Sequence, residues 1–323
     1  MKTPDTILNN TTSNTLKQTL IEQEIVRHKL PSDFMAIVEN YYQPLTQQVI
    51  ELSSNLKKTD SKPFFLGIQG TQGSGKSTCA AFLKLLFEEN HQQKVLVISI
   101  DDFYLTRSER YELANDIHAL FVTRGVPGTH DLGLLQQTIT DCGDPQALPF
   151  SVPVFDKATD DRAANSDWQV VTEEVDIIIL EGWCVGLTAQ TEASLLEAIN
   201  ELEKNEDLDQ RWRRYINEQL ATKYAEIYKQ FDCLIALQAP SFECVYEWRT
   251  LQEEKLIQSL AQSNEELDSS KVMSPDQLKR FISHYERLTR HALETMPQQA
   301  DFLLKLQEDH GFSALISNQK GNV

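Results

Sequence analysis

The 323-residue sequence predicts an α/β fold built on a mainly parallel sheet. Two observations carry that expectation. From residue 63 onward, short apolar runs alternate with longer amphipathic segments, which is how strands joined by covering helices read. Between the first such run and the first such helix lies a glycine-rich turn that ends in Lys76 and Ser77.

The expected strands are Phe64 to Gln69, Val95 to Ile100, Val175 to Leu180 and Asp232 to Leu237, with a final pair at Phe302 to Leu306 and Ser313 to Ile316. Ahead of them, apolar residues recur at intervals of three and four (Phe34, Ile37, Val38, Tyr41, Leu45, Val49, Leu52) and predict helices over Thr15 to Leu30 and Asp33 to Leu56. A polar break from Lys57 to Lys62 separates these helices from the first strand, so residues 1–62 read as a helical extension and 63–323 as the main domain. Leu105 to Thr172 reads as an irregular stretch with two glycine-rich turns, a length of loop that usually carries function. Glu192 to Lys229 and Phe242 to Leu260 read as charged helices, the second a mobile cover, and Gln258 to Lys271 as a polar surface loop.

Forty-eight acidic residues against thirty basic ones give a formal charge of −18, a field that repels nucleic-acid backbones. The same field opposes a small anionic ligand, so such a ligand requires a local cluster of Arg, Lys or His. No apolar segment reaches the ~18 residues of a membrane span, and the first residues carry neither a signal nor a transit pattern, so a cytoplasmic address is expected. Cys79, Cys142, Cys184, Cys233 and Cys244 lie far apart, odd in number and without C-x-x-C spacing, which argues against both a zinc site and a disulfide framework.

Gly70-Thr71-Gln72-Gly73-Ser74-Gly75-Lys76-Ser77 fits the phosphate-binding pattern G-x-x-x-x-G-K-S, with a strand before it and a helix after it. Glycines let backbone N–H groups approach phosphate oxygens, and the helix beginning near Lys76 and Thr78 aims its N–H groups at the same place. Chance produces the pattern on the order of 0.01 times in a chain of this length. The fold class therefore sharpens to a three-layer P-loop NTPase fold with extra N-terminal helices, and ATP with Mg²⁺ is the expected cofactor. Lys76 is the residue for the outer phosphates and Ser77 the hydroxyl for the metal.

Carboxylates for the metal and for a base are expected where neighbouring strands end. Val175 to Leu180 ends in Glu181-Gly182-Trp183, and Val95 to Ile100 ends in Asp101-Asp102-Phe103-Tyr104. Acids in such places also serve as ordinary caps. Next to a P-loop they become candidates, Glu181 for the metal and Asp101 for the metal or for the proton of an acceptor hydroxyl.

The order P-loop, D-x-F-Y, P-V-F-D and E-G-W resembles the phosphoribulokinase, uridine kinase and pantothenate kinase group of P-loop kinases. RGVPGTHDLGLL (Arg124 to Leu135), VPVFDKATDDR (Val152 to Arg162), RWRRYINEQL (Arg211 to Leu220) and FECVYEWRTLQEEKL (Phe242 to Leu256) are similar to its D-glycerate 3-kinase branch. The likeness runs from about Tyr41 to the C-terminus. It implies Asp101 as catalytic aspartate, with Asp102 the variable middle residue, and Glu181 as the E-G acid. It implies substrate contacts within about 105–172, where Arg124, His130, Asp131, Asp156, Lys157 and Arg162 stand, a helical lid region at about 192–230, and basic residues closing over the phosphates, for which Arg213, Arg214 and Arg249 are candidates. Arg124 or Arg162 is the expected carboxylate partner, because a planar guanidinium grips an acid with two hydrogen bonds.

The expected activity is ATP-dependent phosphorylation of a small hydroxylated acid, D-glycerate to 3-phosphoglycerate. A nucleoside, sugar phosphate or pantothenate-like acceptor keeps the same mechanism, and a nucleotide-dependent switch or assembly factor is the alternative from another class. Oligomeric state is not legible in the sequence.

Overall fold

The structure, a computed structural model, describes residues 17–56, 62–262 and 273–318. The polar break after Leu56 and most of the polar stretch ending at Lys271 lie outside the described residues. In chain order, helix α1 (residues 17–27) is followed by α2 (Phe34–Ile37), which passes through a π turn at Val38–Tyr42 into α3 (Gln43–Asn55). Then come β1 (Phe64–Gly70), α4 (Lys76–His91) and β2 (Val95–Ser99). The 105–172 stretch is more regular than its sequence suggests. It holds α5 (Arg107–Asp116), α6 (Leu132–Cys142) and two small antiparallel pairs, β3 (Phe150–Val152) with β6 (Gln169–Val171) and β4 (Phe155–Asp156) with β5 (Asp161–Arg162). Local caps explain both helices: Thr106 and Glu109 form a reciprocal capping box, and Asp131 accepts the Leu134 N–H.

Strand β7 (Ile177–Gly182) leads to the short helices α7 (Glu192–Leu196), α8 (Glu201–Glu206), α9 (Arg211–Gln219) and α10 (Ala225–Tyr228). The chain finishes with β8 (Cys233–Gln238), α11 (Phe242–Gln262), α12 (Pro275–Gln299), β9 (Phe302–Leu306) and β10 (Phe312–Ser317). Helix α12 is the element the sequence reading passed over. Its signals are local: a Ser274/Gln277 capping box with Pro275 in the first turn, then Leu278, Ile282, Tyr285, Leu288, Ala292 and Met296 buried along one face.

The main sheet has the order β10-β9-β8-β1-β7-β2, parallel throughout except for β10. All seven residues of β1 are buried, as a central parallel strand covered on both faces must be. Side-chain alternation divides the interior into two clusters. Phe64, Leu66 and Ile68 join α4 and the N-terminal helices, while Phe65, with Ile178 and Leu180 of β7, joins α6, α9 and α12. These are the three layers. No described helix is long and apolar enough to cross a membrane.

The N-terminal helices complete one of those layers. Phe34 and Tyr42 pack against Phe82 of α4 in tilted ring contacts at centroid distances of 5.3 and 5.9 Å, and Val38, Leu45 and Val49 are fully buried in the same cluster. Residues 34–55 thus share a core with the domain they precede. Leu45→Ala is therefore expected to destabilise the whole domain by about 2–5 kcal/mol, the cost of a large-to-small change at a buried leucine. Denaturant unfolding followed by circular dichroism measures it; a single transition shifted by less than about 1 kcal/mol would show that α3 is not part of the core.

Candidate active site

The site is built where β1, β7 and β2 end side by side. Their parallel register sets Ile68 beside Glu181 and Glu181 beside Ser99, so the loops after all three strands open on one edge. After Gly70 the chain turns through Gly73 (φ +78°) and Gly75 (φ +82°), left-handed positions that favour glycine, into Lys76, Ser77 and Thr78, the first turn of α4. Gly73 is also a close approach, since an added Cβ would lie 2.8 Å from Cβ of Trp248 on α11. Thr71 and Ser74 are buried, and their hydroxyls find no partner among the described residues, as expected of a cradle shaped for phosphate oxygens.

Ser77 Oγ donates to Glu181 Oε1 at 2.8 Å. Glu181 is only 5% exposed, yet its Oε2 has no partner among the described residues. A buried carboxylate oxygen beside a P-loop hydroxyl is the donor set of a hard, hydrated cation, so these two residues fit Mg²⁺.

Asp101 and Asp102 share a 3₁₀ turn, Ile100–Phe103, but point to different partners. Asp101 accepts the Tyr104 hydroxyl at 2.7 Å on one oxygen and pairs with Lys157 Nζ at 2.9 Å on the other. Burial alone pushes its carboxyl up. The charges of Lys157 and Lys76 and the Tyr104 hydroxyl outweigh burial and bring its pKa down to about 2. Asp102 instead accepts the Phe155 N–H at 3.2 Å, and burial raises its pKa.

Lys76, Asp101, Tyr104, Arg124, Lys157 and Arg249 line one cavity of about 330 Å³, together with Trp183, Phe281 and Tyr285. A larger groove of about 580 Å³ lies between residues 186–189 and α10, and it contains none of the P-loop. On chemical grounds the smaller cavity is the candidate site. Four cations at one opening supply the local reversal of sign that a chain of charge −18 needs to receive an anion.

Among the expected substrate residues, Arg124 and Lys157 reach this cavity. The others brace it. His130 is 5% exposed, stacks on Tyr104 at 4.7 Å and meets the Tyr224 hydroxyl at 2.6 Å; burial lowers its pKa to about 4, so the ring is neutral at pH 7. Arg162 donates to the Tyr104 carbonyl and to Asp131, each at 3.2 Å, while Asp131 also caps α6. Asp156 closes a turn with Ala158 and Thr159.

Of the three arginines expected on a lid, only Arg249 lines the cavity, where it pairs with Glu253 at 3.0 Å. Arg213 is 3% exposed and locked to Asp207 at 2.7 Å, and Arg214 pairs with Glu192. Trp212, Ile216, Leu220 and Tyr224 sink the 192–230 helices into the core, so the helices beside the P-loop are α11 and α12. Tyr104 stood in the D-x-F-Y motif without a role, and Phe281 and Tyr285 were not singled out from sequence; the cap and periodicity of α12 were the available signal for the last two.

The fold and this edge of the sheet define a P-loop kinase. No family model matches the chain. The uncharacterized kinase mug58 of Schizosaccharomyces pombe is 31% identical over 249 residues, covering 75% of this chain and 85% of its own. The chloroplastic D-glycerate 3-kinase of Arabidopsis thaliana is 30% identical over 273 residues, 80% of this chain and 55% of its own. The solved D-glycerate 3-kinase of Cryptococcus neoformans shares the fold, with a TM-score of 0.69 at 22% identity over 85% of this chain and 98% of its own. The chain belongs to the same kinase family as the fission-yeast protein and is an ATP-dependent phosphotransferase of the P-loop class.

The charge balance at Asp101 yields a direct test. Removing Lys157 (Lys157→Ala) takes away the first of the opposing charges while burial stays, so the Asp101 carboxyl is expected to titrate upward from about 2. Because the folded pKa lies below the unfolded 3.8, the stability Asp101 contributes is complete above pH ~4 and lost as pH falls toward 2. Carbonyl-detected NMR titration of Asp101 reads the shift; an unchanged midpoint in the variant would remove Lys157 as its cause.

Proposed function

We propose that the protein transfers the γ-phosphoryl group of ATP to the terminal hydroxyl of D-glycerate and releases 3-phosphoglycerate. The observation that carries this reading is the convergence of Lys76, Asp101 and Arg124 on one cavity. A phosphate partner, a carboxylate for a hydroxyl proton and a guanidinium for an acid end are what a kinase of a hydroxy acid needs. The likeness to the plant D-glycerate 3-kinase supports the choice of acid.

In this mechanism the P-loop N–H groups and Lys76 hold the phosphates and stabilise charge on the transferred group. Ser77 and Glu181 would hold Mg²⁺, which would neutralise phosphate charge. Arg124 grips the acceptor carboxylate. Asp101 orients the acceptor hydroxyl and receives its proton late, as suits a loose transition state. A carboxyl near pKa 2 is a weak base, but the acceptor hydroxyl takes the place of Lys157 at Asp101 Oδ2 and relieves the largest opposing charge. Tyr104 stays on Oδ1 and keeps the carboxylate aimed.

Asp101→Asn is expected to lower kcat by roughly 10²-fold, the usual worth of a general base, with ATP binding nearly unchanged. Asp102→Asn keeps an acceptor for the Phe155 N–H and is expected to cost far less. A larger kcat loss in the Asp102 variant would reverse the two roles.

Arg124→Ala is expected to lower kcat/KM for D-glycerate by about 10²-fold, as loss of a charge-assisted pair implies, and to leave the KM for ATP in place. Phosphorus NMR of the wild-type product then reports the hydroxyl used. The 3-isomer is expected; the 2-isomer, or a nucleoside or pantothenate turned over faster than glycerate, would overturn the substrate while leaving the kinase.

A further inference from the structure

Arg124 enters the cavity from a backbone that is tied down from two sides. Its carbonyl accepts the Tyr285 hydroxyl at 3.0 Å, and the Gly125 carbonyl accepts Trp183 Nε1 at 2.9 Å. Gly125 has φ +130° and lies so close to α12 that an added Cβ would stand 2.1 Å from the Tyr285 hydroxyl. The Arg124 side chain is held separately. Its guanidinium lies over the Phe155 ring at 5.4 Å and pairs with Asp160.

Asp160 sits in the turn between β4 and β5 at φ +56°, a left-handed conformation that Asp and Asn adopt more readily than other side-chain-bearing residues. Its second oxygen pairs with Arg110 at 2.9 Å. Arg110 is 1% exposed and also donates to the Asp160 carbonyl at 2.7 Å and the Val122 carbonyl at 2.9 Å. One carboxylate is thus shared between a guanidinium buried in the protein and a guanidinium facing the cavity.

We propose that Asp160 is a positioning residue that sets specificity for an acidic acceptor: Arg110 fixes Asp160, and Asp160 orients Arg124 so that its remaining N–H groups meet the acceptor carboxylate. The inference rests on the reading that Arg124 receives that carboxylate. Two effects of Asp160 oppose each other. Its negative charge competes with the acceptor for Arg124, whereas its grip orders a long side chain before the acceptor arrives, sparing that cost on binding. Arg110 decides between them. Two guanidinium groups on one carboxylate leave the cluster at net +1, and a guanidinium with five N–H donors retains several after pairing once.

Steady-state kinetics of Asp160→Asn test the inference, because Asn keeps the shape and tolerates the left-handed backbone while removing the charge. The KM for D-glycerate is expected to rise about tenfold, with kcat and the KM for ATP within about twofold of wild type, as lost side-chain ordering implies. In an Arg124→Ala background, Asp160→Asn is expected to add no further change in glycerate KM. A glycerate KM that falls or stays put, or the same fold-change in both backgrounds, would overturn the proposal. If the single variant does not fold with Arg110 left unpaired, Arg110→Met combined with Asp160→Asn removes the buried charge with its counter-ion and is judged by the same readouts. An Arg124→Ala variant with unchanged glycerate KM is the separate result that would remove the acid-binding reading itself, and this inference with it.

Discussion

The parallel pairing of β1 between β7 and β8 is the constraint on which the rest of the structure depends. Because every residue of β1 is buried, its ends are fixed in depth and direction by strands on both sides and helices on both faces. Parallel neighbours finish at the same edge, so one register places the phosphate loop, Glu181 and the Asp101 turn together. The connections from β1 run first toward β2 and β7 and later to β8 on the other side, which opens a crevice at that edge. The N-terminal helices and α4 support the strand from one face, and α6, α9 and α12 from the other.

Charge is handled locally against an acidic background. The three cavity cations other than Lys76 each rest on an acid of the protein: Lys157 on Asp101, Arg124 on Asp160 and Arg249 on Glu253. Substrate binding on this account exchanges partners within pairs that already exist, rather than desolvating bare charges. Asp101 is the focus of that exchange in the proposed mechanism, since Lys157, which depresses its pKa, occupies the oxygen that mechanism gives to the acceptor hydroxyl.

The legible part of this molecule was the part encoded locally. The P-loop pattern, the six strands of the main sheet and the acids at the ends of β2 and β7 are adjacent in sequence to the features that position them. The destinations of long side chains were less legible. Arg124 and Arg162 look alike in sequence, but one lines the cavity and the other staples Tyr104 to Asp131. Arg213, a lid candidate in the sequence, is buried and paired with Asp207 instead. The helices of 192–230 read as a charged lid because their polar faces dominate the composition, while Trp212, Ile216 and Tyr224 anchor them in the interior. The Asp160 cluster joins residues 110, 124 and 160 through tertiary structure alone, and no spacing rule connects them.

The central claim is that this edge of the sheet transfers phosphate to a small-molecule hydroxyl rather than to water. Release of ADP from ATP, followed with and without added D-glycerate at saturating Mg²⁺, tests it most directly. The account predicts release that depends on the acceptor and is matched one for one by phosphorylated glycerate. ADP release at the same rate in its absence, with free phosphate as the only other product, would contradict it.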